Sequence, residues 1–370
     1  MKNFTRTDSP FARITIVGVG VIGGSLGLAI KKRFRSVVIT GVDRPEVLQK
    51  ALRRGAIDAA APRVASAVQN ADLVLLATPI SSILRLLPQV GRSVGPHTIV
   101  SDVGSVKREI VRSARRHFPR GTFVGGHPMA GVELSGIEAA HPLLFENAVY
   151  VLTPATPRSP AGVRRFARFL EELGARVVTM DPKLHDEVVS VVSHVPQLTA
   201  VALTNVAGSR HRSSPEYLRL AAGGFRDLTR VASSRPEIWH DILSSNRDEI
   251  EHALDLLIRE LRRYREALRM KGKPFARIFQ EARATRGRIP QSMKGFLHPL
   301  EEVYVFVEDQ PGMLAKLTVS LTRARINIKD LELMKIREGR GGTFRLAFES
   351  REVAAKAVTV LRKTGFEIGG

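Results

Sequence analysis

RITIVGVGVIGGSLGLAI, residues 13–30, decides the reading of the fold. Its first residues are β-branched and apolar, then come Gly18-Val-Gly20-Val-Ile-Gly23 and the small apolar start of a helix. In a strand–turn–helix unit of this kind the first glycine permits the tight turn. The second lets a pyrophosphate approach the backbone, and the third lets helix and strand pack closely. The helix N-terminus then faces the phosphates. A second strand, SVVITGVD at 36–43, ends in Asp43. About 20 residues after the glycines, an acidic side chain accepts hydrogen bonds from a ribose diol and repels a 2′-phosphate. This predicts NAD rather than NADP, although Arg44 beside it weakens the preference.

Working outward, short apolar runs recur at 71–79 (ADLVLLATP), 97–104 (HTIVSDVG), in TFVGGHP, in AVYVLTP and at 174–182 (GARVVTMDP). Runs of this length alternating with helix-length segments indicate parallel βαβ units. A Rossmann-like nucleotide-binding domain is therefore expected over 11–182. From Lys183 the period changes. Leu184, Val188, Val191, Val195, Leu198 and Ala202 mark one face of a long helix, which Pro196 should kink. Ser234-Arg-Pro-Glu237 reads as a capping box opening a second helix, striped by Ile238, Ile242, Ile250, Leu254, Leu257 and Leu261. Two such faces need a cover, so 183–290 is expected to be an all-α dimerisation domain that makes a homodimer. Residues 271–299 are basic, hold Gly and Pro, and read as a connector. Residues 300–370 follow the order βαββαβ, a ferredoxin-like third domain.

Composition narrows the function. Apolar residues make up 44% of the 370, enough for real cores, and no cysteine is present, which excludes disulfides and thiolate metal sites. No run reaches the ~18 apolar residues of a membrane span, and the first residues lack a signal-peptide layout, so a cytoplasmic protein is expected. The net charge of +21 suits an anionic substrate, a nucleic acid or merely an arginine-rich surface. Aromatics are 6% and do not interleave with the basic runs, which argues against nucleic acid.

Candidate site residues lie where strands end. Thr78-Pro79 could border the cofactor, and Ser101–Ser105 ends another strand on the ligand side of an open α/β sheet. VGGHPMAGVELSG, 124–136, places His127 after two glycines that could give a bound molecule room, with Glu133 close behind. An imidazole titrating near 6.5 suits proton transfer near neutrality. In Gly223-Gly-Phe-Arg-Asp-Leu-Thr-Arg230, Arg226 and Arg230 can grip carboxylates at two points, with Asp227 as ion-pair partner or gate; a solvated charged turn is the other reading. His194 and Gln197 share a helix face.

Taken together, GVGVIGGSLG, ATP, SDVGSVK, GGHPMAGVELSG, SHVPQ and GGFRDLTR followed by Trp239 resemble the prephenate/arogenate dehydrogenase family of tyrosine biosynthesis, in its order and spacing. The resemblance implies NAD-dependent oxidative decarboxylation of prephenate to 4-hydroxyphenylpyruvate. It implies that His127 accepts the ring-hydroxyl proton, Ser105 orients it, and Arg230 holds a substrate carboxylate. Glu133, Arg226, Asp227 and Trp239 would line or support the pocket, and His194 would lie near the nicotinamide. Many relatives carry histidine where this chain has Gln197. The last unit, with VEDQPGML and INI, resembles an ACT domain, which implies feedback by tyrosine with Gly312 and Asn327 at the effector edge. Arogenate as substrate, a β-hydroxyacid dehydrogenase or imine reductase, and a non-catalytic NAD- and amino-acid-sensing regulator remain as alternatives.

Overall fold

The computed structural model describes residues 9–118, 122–130, 135–155, 160–270, 274–289, 300–337 and 341–369. It divides into two compact units, 1–274 and 275–370.

The first unit is built on an eight-stranded sheet. Its strands are β1 (Arg13–Val17), β2 (Val38–Val42), β3 (Ala59–Ala60), β4 (Leu73–Leu76), β5 (Ile99–Asp102), β6 (Thr122–Pro128), β7 (Val149–Pro154) and β8 (Arg176–Thr179), in the order 3-2-1-4-5-6-7-8. Strands rich in Val, Ile and Leu, buried on both faces, are what a sheet covered by helices requires. One apolar layer runs from Phe11 and Ile14 to Phe166 and Phe169, and another from Val17 and Val74 to Val111 and Phe123. The parallel reading holds for every neighbouring pair except β6 and β7, which pair antiparallel with His127 opposite Val151. Hydrophobic runs carry no direction, so that reversal leaves no trace in them.

The helical part leaves much of its apolar stripe uncovered within one chain. The chain is helical from Pro182 to His211; of the expected stripe, Leu184, Val188, Val191 and Ala202 are exposed, Leu198 is half-buried and Val195 is buried. The buried face carries His185, Asp186, Val189, Ser190, His194 and Gln197. By length and composition this helix could also cross a bilayer; its polar inner face is instead packed into the protein. Pro196 is accommodated by a wide π-helical turn, Ser190–His194, closed by Val195 N–H donating to Ser190 O. Such turns insert a residue into a helix and re-aim the side chains beside them.

The predicted capping box does not form. Ser234 donates its hydroxyl to Val231 O, closing the 3₁₀ turn Arg230–Ser233, and Arg235 caps the helix Pro236–Ser245 without a side-chain bond. The single expected helix is two, broken at Asn246 before Arg247–Ala267. Asp241 accepts from Ser81 N (2.9 Å), and Ile242 and Trp239 pack on the second apolar layer, fastening this helix to the nucleotide-binding sheet.

In the second unit, Pro274–Arg288 is a helix rather than a connector. Proline is tolerated in a first turn, and an Arg277–Glu281 ion pair one helical turn apart supports the rest. The last segment has the expected βαββαβ order: β9 (Glu301–Val307), a helix at Met313–Arg323, β10 (Asp330–Arg337), β11 (Gly341–Phe348), a helix at Arg351–Lys363 and β12 (Glu367–Gly369). Its sheet order is 10-11-9-12, antiparallel throughout. Gly312 takes a left-handed φ of +89° at the turn before the first of these helices, and Asn327 is exposed in the loop that follows that helix.

Candidate active site

The glycine loop behaves as its spacing predicts. Gly18 has φ +91°, and a Cβ there would lie 2.5 Å from Ala77 O; a side chain at Gly23 would collide with the carbonyl of Gly18. Gly20, by contrast, opens on free space and caps the helix Val21–Arg33, whose first turn holds no acid and no side-chain cap. That leaves its amide groups for an anion. Asp43 accepts from Val19 N and Arg44 N, both at 2.7 Å, one on each oxygen. Each oxygen keeps a lone pair for a ribose hydroxyl. Beside Gly18, the buried Thr78 Oγ1 has no hydrogen-bond partner, and Pro79 is exposed at the start of the next helix. These residues fit a dinucleotide.

A cavity of about 440 Å³ opens beside that helix terminus, lined by Val21 and Ile22 from the first turn, Ser105, His127, His194, Arg235 and Trp239 among others. A larger cleft of about 800 Å³ lies at the opposite end of the same helix, among Ala29, Arg33, Glu146 and Glu171, away from the glycine loop.

His127 lies in β6, near its carboxyl end, rather than in a turn. The glycines before it make room for protein, not for ligand: at Gly126 a Cβ would meet Asp102 O at 2.5 Å and Tyr150 Cε1 at 3.0 Å. Nδ1 of His127 is 2.8 Å from Nε2 of His185. Burial, followed by the neighbouring His185, Lys107 and His194, pushes His127 well below the ordinary imidazole range, so it is neutral at neutral pH.

The loop after β5 is clamped from inside. Lys107 and Asp102 form an ion pair with neither side chain exposed, and Lys107 Nζ also donates to Gly126 O (2.8 Å). Asp102 further accepts from Gly104 N (2.8 Å) and Gly126 N (3.2 Å). The clamp fixes the loop that presents Ser105 and the strand that presents His127. From the helical side, Asp186 accepts from Lys107 N (2.7 Å) and Arg108 N (2.8 Å). Asn246, at the helix break, donates its amide to Asp186 O (2.9 Å) and faces His194 Nδ1 at 3.3 Å. A carbonyl can only accept, so the amide nitrogen is the group there. His194 Nδ1 is therefore the acceptor and its Nε2 the N–H. Burial lowers His194 to about 4, with Asp186 opposing. Its ring meets Trp239 edge-on, centroids 6.0 Å apart.

The other predicted residues are placed differently. Gln197 is buried and donates to Val231 O (2.8 Å), a bond within the helical part. Arg226, Asp227 and Arg230 are exposed on the 223–233 segment and do not line the cavity of this chain. Glu133 lies outside the described residues. Among the described residues, the cation lining the cavity is Arg235, which donates to Ser135 Oγ (2.6 Å) and was not foreseen. Nor were Lys107, His185, Asp186 and Asn246.

A family model for the nucleotide-binding domain of prephenate dehydrogenase matches residues 26–179, and one for its dimerization domain matches 181–281. The chain belongs to the prephenate dehydrogenase family. Within it, the chain is 38% identical to the prephenate dehydrogenase of Bacillus subtilis, over 93% of this chain and 94% of that one. It is 34% identical to the Lactococcus lactis prephenate dehydrogenase, over 95% and 98%. The solved prephenate dehydrogenase of Aquifex aeolicus, in complex with hydroxyphenyl propionate and NAD+, superposes with a TM-score of 0.68 at 31% identity, over 78% of this chain and all of that one. The enzyme is an NAD-dependent oxidoreductase.

Proposed function

We propose that the chain oxidises and decarboxylates prephenate to 4-hydroxyphenylpyruvate in the 440 Å³ cavity, with His127 as the proton acceptor. One observation carries the reading: Ser105 and His127 from the sheet, and His194 and Trp239 from the helices, line one cavity at the open helix terminus of the glycine loop. NAD, when bound on Gly18, Gly20, Gly23 and Asp43, supplies the hydride acceptor.

The residues do the rest. Ser105 and His127 hold the ring hydroxyl, and its proton passes to Nε2 of His127 as the C–H bond on the same carbon breaks. The carbonyl so formed draws the electron pair of the departing carboxylate across the ring, and carbon dioxide leaves. The phenolate oxygen then takes the proton back, so the base ends as it began. A depressed imidazole suits both halves: it stays unprotonated at neutral pH and returns its proton readily. His194, with its outer nitrogen protonated, offers a donor to an acceptor on cofactor or substrate. Arg235 is the cation this chain places at the cavity, and Arg230 is the second candidate for a substrate carboxylate, with Arg226, Asp227 and Glu133 as supporting residues.

A homodimer is supported by the outward stripe of Leu184, Val188, Val191 and Val206, which a single chain leaves in water. The βαββαβ unit supports an ACT-type role, with tyrosine as effector near Gly312 and Asn327. A cytoplasmic location and domain limits of 11–182, 183–290 and 300–370 belong to the same reading. The test is formation of NADH from prephenate and from arogenate, with NAD and NADP, with and without tyrosine. Turnover on neither substrate while NAD still binds would favour a sensor instead.

A further inference from the structure

We propose that His185 and Asp186 are positioning residues for His127: they set which of its nitrogens is the base, and they share the positive charge when it takes a proton. The inference rests on the reading of His127 as proton acceptor.

The argument runs inward to outward. Asp186 is fully buried, and its two oxygens take the backbone N–H groups of Lys107 and Arg108. These lie at the start of the helix Arg108–His117, whose positive end favours an ionised carboxylate. A carboxylate only accepts, so His185, with Nδ1 at 2.7 Å from Asp186 Oδ1, must carry its proton on Nδ1. Neutral His185 is then bare at Nε2. That atom faces His127 Nδ1 at 2.8 Å, so His127 must donate from Nδ1. The lone pair of His127 is left on Nε2, the nitrogen for the cavity. Three buried side chains in series thus fix one tautomer where an isolated imidazole has two.

The same chain can move charge without losing balance. A proton arriving on Nε2 of His127 makes an imidazolium. Its Nδ1 proton can cross to Nε2 of His185, putting the charge beside Asp186, which stays ionised. When the product oxygen takes a proton from Nε2, the Nδ1 proton returns, and no net proton is gained. The other charged or titratable groups facing these rings are Lys107, already paired with Asp102, and His194, tied through Asn246 to the backbone of Asp186. Neither competes for the two ring-to-ring nitrogens. The carboxylate–imidazole part follows the general logic by which a second residue orients a catalytic base.

The test uses the full chain. Nitrogen-15 NMR of labelled histidine rings at neutral pH, assigned with His127→Asn and His185→Gln, should show both His127 and His185 protonated on Nδ1. Protonation of His127 on Nε2 overturns the proposal. In kinetics, His185→Phe should lower kcat at least about tenfold, with the KM for prephenate and the affinity for NAD changed less than about twofold. His185→Gln, whose amide can still accept from His127, should recover part of the loss. Unchanged kcat in His185→Phe, or an equal loss in both variants together with loss of NAD binding, overturns it. Should His127→Asn itself leave turnover intact, the base assignment fails while the tautomer result still stands or falls on the spectra.

Discussion

Replacing Lys107 by methionine tests whether the active-site loop is held by a buried charge pair. Neither Lys107 nor Asp102 has any exposed side-chain surface. Burial pulls the Lys107 amine below its ordinary value, with Asp102 opposing. Removing one partner of such a pair costs about 3–5 kcal/mol, because the other charge stays buried. Asp102 keeps two backbone donors, at 2.8 and 3.2 Å, which offset part of that. Gly126 O loses its lysine donor, worth about 1 kcal/mol. The expected loss is therefore about 3 kcal/mol. The chain's one tryptophan, Trp239, packs against the affected layer, so its fluorescence in urea reports this unit directly. The midpoint should fall with an unchanged slope. Because the clamp places both Ser105 and His127, kcat should fall as well. Adding Asp102→Asn removes the stranded charge and should recover at least about 1 kcal/mol, a coupling read from the double-variant cycle. A loss below about 1 kcal/mol, or no coupling, would refute the clamp.

Gly23→Ala places a methyl group against the carbonyl of Gly18, so NAD affinity should fall at least about tenfold in a fluorescence titration, with about 1–3 kcal/mol of stability lost to overpacking. Asp43→Asn removes the repulsion of a 2′-phosphate and should lower the NAD-over-NADP ratio of kcat/KM by about tenfold. Stability should also depend on pH. His194 is neutral when folded down to about 4, whereas the unfolded imidazole takes a proton near 6.5. Stability is thus full above 6.5 and is lost as pH falls to about 4, by up to about 3 kcal/mol from this residue, with His127 acting in the same direction. Urea midpoints across that range should show the slope, and His194→Gln should reduce it.

How much of this was legible in the chain differs by element. Strands β1, β2, β4 and β5 are read directly from Val-, Ile- and Leu-rich runs, and the glycine loop from its spacing, because backbone sterics act locally. Ala59–Ala60 forms β3 without a Val-, Ile- or Leu-rich run, through its pairing with Thr40 and Gly41. In the helix 182–211 the leading part of the apolar stripe, Leu184, Val188 and Val191, faces out, while Val195 is buried. Hydrophobic periodicity finds a face that needs covering but not whether the cover is the same chain. That rule hid His185 and Asp186, which look like ordinary polar positions until the fold sets them against Lys107, Arg108 and His127. Lys107 carried a weak signal, a charge opposite to Asp102 across one short loop. Asn246 carried another, a poor helix former inside a predicted helix. Arg235 beside Pro236 was read only as part of a cap.

The most direct measurement is turnover of His127→Asn on prephenate, alongside its affinity for NAD. A positioned proton acceptor is worth about 10²–10⁴ in rate, so kcat should fall by at least about a hundredfold while NAD binds within about twofold of the unaltered chain. Wild-type turnover in that variant would contradict the account at its centre.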